Sequence, residues 1–222
     1  MKAKKPTETK MSQPIPTKTR KSDVRRQAIV DAFIALVAQT GLEATSVDAL
    51  AEKVGMRRNH VGYYFPSRGD LVEAAVRKVM AVGQKMTSER LATAQGWKEI
   101  VVNWSLGAFD WIETYPEHGA IVLLFYSYCH HDEAARQLNA SILKAGVERA
   151  EGQLRNAFPE RAMGSQLKQS LQSIQDHNWG LLMRFLTAQN PASMKSLKVK
   201  STEFALTTIA PYFKKTAGRS PR

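Results

Sequence analysis

Apolar residues recur along this chain at helical spacing. Between Ser22 and Thr40, Ile29, Ala32, Phe33, Leu36 and Val37 fall at i, i+3, i+4, i+7 and i+8. That is one face of an amphipathic helix, and Gly41 is placed to close it. In Thr45-Ser46-Val47-Asp48, the spacing predicts a helix capped by Thr45 and answered by Asp48. Val47, Leu50, Ala51 and Val54 give this helix a short apolar face, and Gly55 stops it after about two turns. Val61 and Tyr64 predict a third short helix that ends at Phe65-Pro66, because a residue before proline is pushed out of the helical region. Ser67 and Asp70 repeat the cap spacing. Leu71, Val72, Ala75, Val76, Val79 and Met80 then predict a long helix to about residue 92. Breaks at Gly96, Tyr115-Pro116, His131-Asp132, Phe158-Pro159 and Asn190-Pro191 divide the rest into helices near 97–114, 117–130, 133–157, 164–189 and 199–214. Strand alternation and hairpin turns are missing, so the expected fold class is all-α.

Charge sharpens this picture. The 222 residues carry a formal net charge of +12, which favours a polyanionic partner. Much of the excess lies before residue 27, in Lys2, Lys4, Lys5, Lys10, Lys18, Arg20, Lys21, Arg25 and Arg26. With Pro6, Pro14 and Pro16 and few large apolar residues, residues 1–22 read as a disordered basic arm. Such an arm either solubilises the chain or follows phosphates. The last residues, 217–222, read as a frayed tail. Cys129 is the only cysteine, so no internal disulfide forms. No apolar run approaches the roughly 18–20 residues of a membrane span. The expectation is a cytoplasmic protein with no membrane partner.

Two short helices joined by a glycine turn, with a longer helix in front, make a helix-turn-helix at about 46–65. In that motif the second helix enters the major groove and presents its N-terminal side chains to base edges. Here that N-terminus reads Arg57-Arg58-Asn59-His60. Arginine can donate two hydrogen bonds to guanine, and asparagine can read adenine with two. Tyr63 and Tyr64 can reach phosphates, Arg68 opens the next helix, and Thr45 and Ser46 are candidate phosphate ligands at a helix start.

With these residues in place, 23–83 resembles the DNA-binding domain of the tetracycline-repressor (TetR) family. The matching positions are Gly41, Thr45-Ser46-Val47, Leu50-Ala51, Val54-Gly55-Met56, Val61, Tyr64-Phe65, Ser67-Arg68 and Leu71. The resemblance implies a helical effector-binding and dimerisation domain over 84–216. It further implies a homodimer on a near-palindromic operator in double-stranded DNA, and a repressor released by a small molecule. An activator of the same family, or a ligand-independent architectural DNA binder, are the alternatives. Asn59-His60 and Gly62 depart from the family pattern. Many members have tyrosine at the Gly62 position, so that phosphate contact does not carry over.

The implied pocket has aromatic and amphipathic candidates in Trp104, Phe109, Trp111, Phe125, Tyr128 and His177, with Tyr115, Tyr126, His130 and Trp179 behind them. Pockets are mostly apolar with a few placed polar groups, yet aromatics at helical spacing also serve as plain core. Cys129, His130, His131 and Asp132 are adjacent on one helix, point in different directions and predict no metal site. His131 and Asp132 are better placed to cap. Without a phosphate-binding glycine loop, Gly-x-Ser-x-Gly or His-Glu-x-x-His, the chain reads as a non-enzyme without a cofactor. The last two long helices offer apolar faces for pairing: Leu167, Leu171, Ile174, Leu181, Leu182, Phe185 and Leu186, and Phe204, Leu206, Ile209, Tyr212 and Phe213.

Overall fold

A computed structural model describes residues 21–161 and 163–213. The chain is all-α. Among the described residues the elements are α1 (Lys21–Ala44), α2 (Val47–Lys53), α3 (Arg58–Tyr64), α4 (Arg68–Ala92), α5 (Gly96–Thr114), α6 (Glu117–His131), α7 (Glu133–Ala157), α8 (Gln166–Thr187), α9 (Met194–Ile209) and a closing 3-10 turn. The basic arm and the frayed tail fall outside the described residues, except that Lys21 and Ser22 already belong to α1.

Local chemistry accounts for most boundaries. Gly41 breaks α1 with φ 77°, a conformation that strains residues with a Cβ. Gly55, at φ 65°, makes the turn between α2 and α3. Ser67 and Asp70 form a reciprocal capping box at the start of α4. Asp132 ends α6 and caps α7, its Oδ1 accepting from the Ala135 amide at 2.7 Å.

Two boundaries differ from the sequence expectation. The cap of α2 is Ser46, whose hydroxyl accepts from the Ala49 amide at 3.0 Å. Thr45 is instead buried and donates to the Gly41 carbonyl at 2.7 Å, so the break in α1 uses up its hydroxyl. Helix α9 begins at Met194 rather than near 199, because Ser193 caps it through the Ser196 amide at 3.2 Å.

The larger core runs without interruption from α1–α3, with Ile29, Phe33, Leu50 and Val61, through α4 to Phe109, Ile121, Phe125 and Leu182. A second core lies at the far end of the molecule and joins Leu91 and Ile100 to Leu154, Leu171 and Ile209. Helix α1 has the length and composition to cross a membrane, contrary to the sequence expectation. Its apolar stripe, Ile29, Phe33 and Val37, is nevertheless buried against the protein, where α1 packs on α6.

Candidate DNA interface and interior cavity

Helices α2 and α3 are each seven residues long. They are too short to hold alone in water, so their faces are fixed by packing. Leu50 and Ala51 on α2, Val61 on α3 and the following Phe65 are buried against α1 and α4. That leaves the opposite side of α3 outward. Arg57, Arg58, Asn59 and His60 are all exposed, and Tyr63 is 80% exposed. Tyr64 stacks edge-on against Tyr63 with ring centroids 5.4 Å apart and is half-buried on the core.

The two arginines differ. Arg58 donates to Asp48 on α2 at 2.8 Å, in a pair that is 70% and 65% exposed. Such pairs are worth about 0–1 kcal/mol, so DNA can displace the carboxylate. Arg57 caps α3 through its backbone and pairs with no described carboxylate. Arg68 has another role. Its guanidinium donates to the carbonyls of Leu42 and, at 3.3 Å, Thr45. It ties the start of α4 to the link between α1 and α2, which fixes the reading head. Of the two candidate phosphate hydroxyls, Ser46 is exposed and Thr45 is turned inward.

The structure adds one cation to the site expected from sequence. Arg25 on α1 shares a surface hollow with Arg57, His60 and Tyr63. Arg25 lies within 23–83, where the sequence reading takes it as part of the N-terminal charge and not as a site residue. Arg26 instead lies over the Phe65 ring, 4.6 Å from its centroid. Gly62 is exposed with open space around it, so nothing steric requires glycine there.

A cavity of about 110 Å³ lies among α4, α5, α7 and α8. Trp104, Trp111 and Trp179 line it, with Gln84, Thr87, Ser105, Arg149, Gln175 and Asn178 as polar members. Trp104 and Trp111 are thus the expected candidates that reach it. Phe109 and Phe125 are fully enclosed in the larger core, and Tyr128 packs on that core's edge. His177 stacks on Phe204 of α9 with centroids 4.2 Å apart, away from the cavity. Periodicity could not separate these faces, because an aromatic residue on any of them reads alike.

The cavity's polar side is a buried relay. Asn178 Nδ2 donates to Ser105 Oγ at 2.7 Å and to the Ser105 carbonyl at 3.2 Å. Ser105 Oγ lies 2.8 Å from Ser201 Oγ on α9. Asn178 Oδ1 is buried with no partner. Trp104 Nε1 donates to the Gly146 carbonyl on α7 at 3.1 Å. Trp111 lies so close to α4 that a Cβ on Gly83 would fall 2.7 Å from its ring. Its Nε1 donates to His118 Nδ1 at 2.7 Å. Burial pushes the His118 imidazole below its ordinary range, which keeps Nδ1 a free acceptor. Cys129 is half-buried, its thiol pushed up by burial. Among the described residues no three His, Cys, Asp or Glu side chains gather as a metal set.

The sequence pattern of bacterial regulatory proteins of the tetR family matches residues 29–75. An HTH-type transcriptional regulator BetI from Paraburkholderia xenovorans is 27% identical over 117 residues, which are 52% of this chain and 60% of that relative's length. A structure from Rhodococcus sp. assigned to the TetR-family transcriptional regulators superposes with a TM-score of 0.70 at 20% identity, covering 84% of this chain and 99% of that one. A transcriptional regulator from Saccharomonospora viridis, solved in complex with choline, superposes with a TM-score of 0.70 at 16% identity, covering 81% of this chain and 94% of that one. The exposed cationic α3 thus belongs to a helix-turn-helix domain that matches the tetR-family pattern over residues 29–75, and the chain shares the fold of solved TetR-family transcriptional regulators.

Proposed function

We propose that the chain is an operator-specific repressor, released from a near-palindromic site when a small molecule fills the cavity among α4, α5, α7 and α8. The observation that carries this reading is the shared helix α4. It contributes Met80, Gly83, Gln84 and Thr87 to the cavity, and at its other end Arg68 clamps the link that leads into α2. A ligand that separates α4 from Trp111 therefore acts on the helix that carries the reading head. It shifts the equilibrium only as far as it binds the two arrangements unequally.

Two reading heads at a fixed spacing require a symmetric pair of chains. Several residues expected to support pairing are committed to the monomer: Leu167, Leu171, Ile174, Leu182 and Ile209 are fully buried. His177, Leu181 and Phe185 recur at i, i+4 and i+8 on α8, and Phe204 is exposed beside them on α9. This patch is the proposed pairing face. The test is to select bound genomic fragments with purified protein, then titrate them with and without a small-molecule cell extract. Release from the selected fragments, and not from random DNA, is the expected result. Affinity that no extract alters would refute ligand control.

A further inference from the structure

The cavity carries one charged group, and it is a cation. Arg149 on α7 is half-buried at its lining, and no Asp or Glu lines it. The carboxylates beside Arg149 in the chain are engaged elsewhere: Glu148 with Lys144 and Lys168, and Glu151 with Arg155. Arg149 has no carboxylate partner among the described residues. Across the cavity, Asn178 is 7% exposed, both of its N–H bonds go to Ser105, and its Oδ1 is a buried acceptor with no donor. Unmet acceptors of this kind are rare in folded interiors; this one is covered in the present arrangement, so a ligand's donor reaches it only by displacing the side chains over it.

The tryptophans could suggest a cage for a quaternary ammonium ion, as choline would need. Their surroundings argue otherwise. Trp111 is 2% exposed, with its ring against Gly83, and Trp104 is 8% exposed and bonded to Gly146. Neither presents an open face; Trp179 is the one half-exposed ring at the lining, and a single ring beside Arg149, which repels a cation, makes no cage. The site is open on one side, and its sheltered space is small. An apolar cavity of about 150 Å³ admits benzene, so about 110 Å³ suits a shorter body.

We propose that the site takes a short-chain carboxylate bearing a hydrogen-bond donor, such as a hydroxy acid. Its anion lies on Arg149, its donor meets Asn178 Oδ1, and its apolar body fills the space beside Trp111. This rests on the reading of the cavity as the effector site.

The test uses the full chain and four probes at millimolar concentration: 3-hydroxybutyrate, butyrate, butyramide and choline. Binding is read by tryptophan fluorescence and by the shift in melting temperature. The acids should bind, the hydroxy acid more tightly, while the amide and choline should not. Arg149→Gln should weaken acid binding roughly 10- to 100-fold, and Arg149→Lys should retain part of it. The inference is overturned if choline or butyramide binds as well as the acids, if neither acid binds, or if Arg149→Gln leaves acid binding unchanged. Fragment binding is measured alongside. Arg149-dependent acid binding that leaves DNA affinity untouched supports the anion site and refutes the effector reading. Release of DNA by a cation or neutral molecule, lost when Ala108→Leu on α5 fills the cavity, supports the effector reading and refutes the anionic class.

Discussion

Arg57 and Arg58 stand side by side at the head of α3, and among the described residues only Arg58 has an ionic side-chain partner, Asp48 at 2.8 Å. Both are exposed, and the proposed function makes them base readers. Replacing either with alanine should weaken operator binding by about 1–3 kcal/mol and relax preference at one or two base pairs. Titration against the operator and its single-base variants checks this, and unchanged affinity and preference in both variants would refute the assignment. Gly62 permits a second prediction at the same scale. It lies inside α3, and the position an alanine Cβ would take there has no neighbour within 4 Å. Glycine in a helix costs about 0.5–1 kcal/mol relative to alanine. Gly62→Ala should raise the unfolding free energy from chemical denaturation by that order; a lowered one would reveal a contact that glycine serves. Where one helix carries the candidates, as at Arg57–His60, spacing alone places them together on an exposed surface. It misses Arg149 and Asn178, because their place beside Ser105 in one cavity lining depends on how α5, α7 and α8 pack, which no local pattern encodes.

Helices α5 and α6 meet through Trp111 and His118, and this contact is sensitive to pH. His118 accepts from Trp111 Nε1 and is 7% exposed. Its folded pKa lies below the ordinary value, chiefly through burial. The unfolded chain therefore takes up a proton near pH 6.5 that the folded chain refuses. The stability linked to this group is complete above about pH 6.5 and declines as the pH falls below it. Denaturation at successive pH values should show wild type losing stability below that point, with a shallower loss in His118→Gln. Equal slopes would remove His118 as the cause. Element boundaries are legible in proline, glycine and capping residues. Where two hydroxyls compete, at Thr45 and Ser46, the kink at Gly41 decides, and backbone geometry of that kind is not written in residue spacing.

For the whole molecule, the larger core is continuous from Phe33 and Val61 in the reading head to Met80 and Trp111, which line the cavity. The all-α architecture and the helix-turn-helix are both readable from periodicity. The pairing face is not, because core and interface residues share the same apolar stripe until burial separates them. Phe204→Glu puts a charge on the proposed face at a position already exposed in the monomer. It should give a folded protein that sediments as a monomer and binds the operator more weakly. A variant that remains dimeric would place the pairing surface elsewhere, and a monomeric wild type at micromolar concentration would remove it.

The central claim is sequence-specific recognition by paired copies of α3, and a genome-wide footprint of the purified protein tests it most directly. The account predicts a small set of protected sites, each with two related half-sites about 34–36 Å apart or a multiple of that, and their loss when Arg57 and Arg58 are both replaced by alanine. Broad protection without a shared motif, persisting in the double variant and governed only by salt, would contradict it.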